Sequence, residues 1–174
     1  MNTQMKWSVI SGGWRRENEE VRADVVRTVE EILQAGKGII TGGALGVDYI
    51  ATQAVRNANV NLSDRLRIYL PVPLFNYTQH LYRRAQEGVI TEEQADMLVS
   101  QLTFIRGTHP LCMVENTAFV DVNPESYYAR NTREIVDGDE LYAFSINNTE
   151  GTQNIIDKAI SLGKQVHVKK YTIK

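Results

Sequence analysis

Hydrophobic positions along this chain fall into two alternating rhythms. Short apolar, β-branched runs occur at Lys6–Ile10 (KWSVI), Gly38–Thr41 (GIIT), Leu66–Val72 (LRIYLPV) and Glu140–Ser145 (ELYAFS), and each reads as a strand. A further strand is expected after Gly163, where Val166 and Val168 alternate with polar neighbours in the manner of a sheet edge. Between these runs the period changes. From Asn18 to Gln34 the residues Val21, Val25, Val26, Val29, Ile32 and Leu33 recur at three- and four-residue steps, which predicts an amphipathic helix ended by Gly36. Val47, Ile50, Ala51 and Val55 share one face of a second helix, and two more are expected over Tyr127–Val136 and Thr152–Leu162. Asn76 to Arg106 reads as mostly helical, broken near Gly88, with Thr91–Gln94 (TEEQ) fitting a capping box. Gly107 to Pro124 is irregular, and its apolar run Ala118–Val122 fits a strand or a loop segment equally. Strands separated by helices predict an α/β fold: a mostly parallel sheet covered on both faces by right-handed crossovers, with a helical insertion at about 74–125.

Composition narrows the class. A length of 174 residues suits a single domain over 1–174, and 43% hydrophobic with 23% charged residues is ordinary for a soluble globular protein. No apolar run approaches the roughly 18 residues of a membrane span, and the start MNTQMKWSVI has no cationic segment followed by a long apolar stretch. A cytoplasmic protein with no membrane contact is expected. The formal net charge of −2 gives no global attraction to nucleic acid, so any such binding must come from a local basic patch. Cys112 is the single cysteine, which excludes an intrachain disulfide and a thiolate metal cluster, and His80, His109 and His167 lack metal-ligand spacing. Neither a metal nor a cofactor is expected.

In parallel sheets ligands sit beyond the carboxyl ends of the strands, where strand order reverses. Three loops are predicted to meet there. The second, within GKGIITGGALGVD, leads from strand to helix through Gly42, Gly43 and Gly46; its amides and the helix start can cradle an anion such as phosphate. A tight strand-to-helix turn accounts for the same glycines. The first, SGGWRR, brings Ser11, Gly12 and Gly13 together with Trp14, Arg15 and Arg16, where arginine can fork onto phosphate and tryptophan can stack on a base. Solvated arginines and a packed tryptophan are the plainer reading. The third, SINNTEGT, places Thr149, Gly151 and Thr152 at a helix start, and a simple N-cap explains either threonine as well. Arg130 and Arg133 could hold phosphate or pair with carboxylates such as Asp137, and Asn131 could cap a loop or read a ligand.

Taken together, SGGWR, TGGALGVD, RNTREIVDGDELYAF and EGTQNIIDKAISLGKQVHV resemble the SLOG superfamily of Rossmann-like proteins. That superfamily includes the DprA/Smf DNA-processing proteins, the YspA/YpsA-like proteins and the LOG phosphoribohydrolases. The likeness covers about the first seventy and last fifty residues, and it implies a Rossmann-like three-layer sandwich. By this resemblance Gly42, Gly43, Gly46, Asp48, Arg130 and Asn131 take ligand-loop roles, and the loop reading adds Ser11, Gly12, Gly13, Arg15, Thr41, Ser145, Glu150, Gly151 and Thr152. Relatives often carry an arginine where this chain has Leu45. The glutamate that follows Gly-Thr in the LOG enzymes has no counterpart after Thr152, which leaves Asp48 and Glu150 as candidate catalytic carboxylates.

The expected function is binding of a nucleotide or nucleotide-derived phosphate ligand at the carboxyl edge of the sheet. Two alternatives stand beside it: a nucleotide N-glycosidase of the phosphoribohydrolase type, and a DprA-like protein that binds single-stranded DNA. The insertion is expected to close over the site or to supply a dimer face in a homo-oligomer.

Overall fold

The computed structural model describes residues 4–174. Six strands form one sheet: β1 (Trp7–Gly12), β2 (Gly38–Thr41), β3 (Leu66–Leu70), β4 (Met113–Glu115), β5 (Glu140–Ile146) and β6 (Gln165–Tyr171). Their spatial order is β4-β3-β2-β1-β5-β6, and every pairing is parallel. The expectation of a mostly parallel sheet thus becomes an all-parallel one. The reason is that each connection carries at least one helix, and a parallel neighbour needs such a crossover.

The helices are α1 (Glu19–Gln34), α2 (Val47–Asn57), the single turn α3 (Leu62–Arg65), α4 (Leu74–Gln86), α5 (Glu92–Thr108), α6 (Pro124–Asp137) and α7 (Glu150–Ser161). Two hydrophobic clusters show how they are layered. On one face α1, α2, α4 and α5 pack Val21, Val25, Val29, Ile50, Val55, Tyr77, Leu98 and Leu102 with Ile10, Ile39 and Ile68 of the sheet. On the other, Ile135 of α6 and Ile155, Ile156 and Ala159 of α7 pack with Val9, Ile40 and Leu141. Alternate residues of β1 and β2 therefore serve opposite cores, which explains why these strands read as unbroken apolar runs.

Caps set the helix limits. The Val21 amide donates to Asn18 Oδ1 at 2.9 Å to start α1. Thr91 and Gln94 form the expected reciprocal box at the start of α5, with bonds of 3.1 and 2.9 Å. Asn123 and Ser126 make a second box, with Pro124 in the first turn of α6.

One expectation about the insertion is corrected. The segment at 74–125 is not purely helical, because Met113–Glu115 adds β4 to the sheet beside β3. A short 3-10 turn, Pro110–Cys112, turns the chain from α5 into that strand, and Cys112 is buried there with its thiol donating to the Leu62 carbonyl at 3.2 Å. The run Ala118–Val122 is loop.

The amino end of the sheet, away from the glycine loops, is locked by polar groups. Ser8 Oγ and Lys37 Nζ both donate to Glu140 Oε1 at 2.6 Å, and the Trp7 amide donates to Asp139 Oδ2 at 2.7 Å. Burial would raise the Glu140 carboxyl, but the bonds from Lys37 and Ser8 outweigh it and hold the group below its ordinary value. Among the described residues no helix is long and apolar enough to cross a membrane.

Candidate functional site

The strand order reverses between β1 and β5, whose registers match Ser11 with Ala143 and Gly12 with Phe144. Above that switch point opens a cleft of about 460 Å³. Its walls come from the end of β1 and the loop after it, the loop after β2, the helices α4 and α6, and the first turn of α7.

Close backbone approach holds the first two loops together. The Val47 amide donates to the Gly13 carbonyl at 3.1 Å. Gly46 leaves room for this contact at φ +70°, and a Cβ there would lie 2.3 Å from the Gly13 oxygen. A side chain at that position is excluded both by conformation and by space.

The glycine loop after β2 turns out to cradle an anion of its own. Asp48, in the first turn of α2, folds back so that the Ala44 amide donates to its Oδ2 at 3.3 Å, with the Gly42 amide adding to the hold. This alters the expectation that the loop's amides await a phosphate. Gly43 also faces inward: its φ is +64°, a Cβ would strike Leu70, and its carbonyl accepts from the Tyr77 hydroxyl at 3.1 Å. Thr41 is buried with its hydroxyl 3.3 Å from that of Thr52, and Ser145 is buried in β5. Leu45 is buried too and forms apolar floor.

Arg130 reaches across the top of β2. Its Nη1 donates to the Gly42 carbonyl at 2.7 Å, and its Nε and Nη2 donate to Asn131 Oδ1 at 3.3 and 3.0 Å. The Tyr127 ring lies beneath its guanidinium at 5.2 Å. A Cβ on Gly42 would meet both Arg130 and Asp48, so this glycine makes room for the pair. Asn131, 6% exposed, also donates through Nδ2 to Asn154 Oδ1 at 3.5 Å. Arg133 follows the plainer reading, with Nε 4.0 Å from Asp137 Oδ2.

A second carboxylate, Glu134, lies one turn beyond Arg130 on α6 and is 1% exposed. Two acids facing one guanidinium in a buried place cannot both ionise cheaply. Burial is the main cause and repulsion from Asp48 adds to it, while Arg130 opposes them; the Glu134 carboxyl is pushed up to about 8. Burial likewise raises Asp48, against Arg130 and the loop amides. Burial thus favours the protonated form of both acids, and they titrate as a coupled pair beside Arg130. One oxygen of each acid, Asp48 Oδ1 and Glu134 Oε1, is buried without a hydrogen-bond partner among the described residues.

The third loop differs. Asn147 and Asn148 adopt φ values of +53° and +51°, and Thr149 precedes α7 without capping it; its hydroxyl instead lies 3.1 Å from that of Thr152. The first-turn amides of a helix have no intrahelical acceptor, and here no side chain replaces one. Gly151 and Thr152 line the cleft, whereas Glu150 is exposed and does not.

The structure thus brings Ser11, Gly12, Asp48, Arg130, Asn131, Gly151 and Thr152 to one cleft. Gly13 and Arg15 line a neighbouring groove, and Thr41, Gly42, Gly43, Gly46 and Ser145 support the loops from behind. The insertion, expected to close over the site or to supply a dimer face, contributes α4 to the cleft wall, but Tyr77, His80 and Leu81 were not singled out. Tyr77, His80, Leu81 and Arg84 recur at three- and four-residue steps, so one helical face was the available signal. The Tyr77 and His80 rings are nearly parallel at 6.4 Å. Burial, then Arg84 and Arg83, holds His80 below its ordinary value and leaves it neutral near pH 7. Among the described residues no group of three or more His, Cys, Asp or Glu is placed to hold a metal ion.

No protein-family model matches the sequence, and no curated protein matches it. Solved structures do. A molybdenum cofactor binding protein from Rippkaea orientalis superposes with a TM-score of 0.62 at 16% identity, covering 98% of this chain and 79% of that one. DNA processing protein A from Helicobacter pylori, a single-stranded DNA binder, gives 0.62 at 18% identity, covering 94% of this chain and 65% of that one. A structural-genomics target gives 0.54 at 20% identity over 93% of this chain and 72% of that one. At such identities the likeness speaks for architecture alone, and the chain has a Rossmann-like α/β fold.

Proposed function

We propose that the cleft binds a nucleotide or a nucleotide-derived, phosphate-bearing ligand. The observation that carries this reading is the pairing, in one cleft of about 460 Å³ at the switch point, of an uncapped helix start with an aromatic wall. The volume lies within the range of small-molecule sites. Phosphate belongs at the Gly151–Thr152 turn, where amides and the α7 dipole favour negative charge. The base belongs against Tyr127 and Tyr128, whose rings line the cleft. Calorimetric titration against a panel of nucleotides tests the reading. Binding with saturable heat is expected, and a folded protein that binds no phosphate-bearing compound overturns it.

A second reading rests on Asp48. Its Oδ1 is unpartnered, its residue lines the cleft, and burial raises its affinity for a proton. A carboxylate so placed can take a proton from water attacking an N-glycosidic bond. Release of free base from a nucleotide, lost in Asp48→Asn while the ligand still binds, supports this enzyme reading; binding without release in the wild type removes it.

A further inference from the structure

We propose that the ligand of this cleft extends past the start of α7 into a second, basic groove, and so carries a diphosphate or an equivalent second anion. This rests on the nucleotide-site reading above. A groove of about 300 Å³ lies beside the cleft, and Trp14 and Thr149 line both. The two spaces are neighbours that share these side chains, with the α7 start at their junction. A ligand anchored at Gly151 and Thr152 has a direct course from one into the other.

The groove is mainly apolar, and its charge comes from two arginines. Arg15 and Arg16 line it, both exposed, and neither has a carboxylate within ion-pair distance among the described residues. The Arg15 guanidinium lies over the Trp14 ring at 4.4 Å, which holds the cation at the boundary between the two spaces. The side chain of Asn147 fixes the opposite bank: its Nδ2 donates to the Ile173 carbonyl and its Oδ1 accepts from the Ile173 amide, each at 2.9 Å. The groove is therefore formed before any ligand arrives.

Charge sets the direction of the ligand. Asp48 Oδ1, in a residue 5% exposed, is an acceptor without a donor in the cleft lining. Its carboxylate disfavours phosphate at that end of the cleft. A single phosphate at α7 would leave Arg15 and Arg16 with nothing to neutralise, whereas a second one passing Thr149 reaches them. The ligand then lies with its phosphate chain running outward, away from Asp48.

Matched nucleoside mono- and diphosphates, titrated calorimetrically into the wild-type protein and into an Arg15→Gln/Arg16→Gln variant, test this. Diphosphates are expected to bind about tenfold or more tightly than their monophosphates, the scale of one or two charge-assisted hydrogen bonds. The variant is expected to lose that ratio while keeping its monophosphate affinity, since both arginines lie outside the cleft. Equal affinities in the wild type, or a ratio that survives the double substitution, overturn the extension and leave the nucleotide reading standing. Absence of binding by either series overturns both.

Discussion

Two helices direct their amino ends at the same cleft, and they use those ends in opposite ways. At α2 the loop amides of Gly42 and Ala44 are taken by the chain's own Asp48, whose charge is set against Arg130. At α7 the N-cap Thr149 makes no capping bond. Both sites derive from glycine-bearing strand-to-helix turns that look alike in sequence. The difference teaches that an anion cradle is defined by what fills it: a carboxylate two residues into the helix converts a binding loop into a structural one.

The largest effect is expected from breaking the α2 side. Gly46→Ala places a Cβ 2.3 Å from the Gly13 carbonyl in a backbone region that disfavours side chains, and a loss of about 3 kcal/mol in urea unfolding is expected. Wild-type stability in that variant would mean that the two loops are not held together by this contact.

Next comes the proton on Glu134. The folded state holds it up to about pH 8, while an unfolded glutamate releases it near 4.5, so folding stability falls as pH rises through that window. The slope from this group approaches about 1.4 kcal/mol per pH unit. Glu134→Gln is expected to flatten the dependence of melting temperature between about pH 5 and 8, and an unchanged slope removes the proton from Glu134. Glu140 works in the other sense: its lowered value adds stability above the ordinary carboxylate range that is lost on acidification.

The smallest and most pointed test makes α7 resemble α2. Thr149→Asp installs a carboxylate cap where none exists, and is expected to raise stability by about 0.5–1 kcal/mol. The same change is expected to weaken phosphate-ligand binding about tenfold by placing like charge at the anion position. Gain of stability without loss of affinity would move the phosphate away from α7.

Much of this architecture was legible in the chain. The apolar spacing of α1 predicted its buried face from Val21 to Leu33, and the Thr91–Gln94 box marked the start of α5. β4 was not legible, because three residues carry no period and Met113–Glu115 is extended only by pairing with Ile68–Leu70. In the site, loop residues such as Gly12 and Thr152 announced themselves through turn chemistry. Asp48 was visible as a candidate, but its return onto the Ala44 amide is a matter of loop curvature rather than composition. Tyr77 and His80 belong to a helix that reaches the cleft through tertiary packing, and Leu45 shows the converse, a loop residue whose apolar side chain is buried in the cleft floor.

The sheet order also bears on the time course of folding. The cleft stands over the seam between β1 and β5, where Ser8 faces Glu140 across 132 positions of chain. Every other element from α1 to α6 lies between them in sequence. A chain emerging from the ribosome can assemble β1 to β4 in one direction, yet one edge of β1 stays bare until β5 is made. During that interval the free edge of this buried strand is open to pairing with another copy, so aggregation of nascent or truncated chains, rather than of the finished protein, is its characteristic hazard.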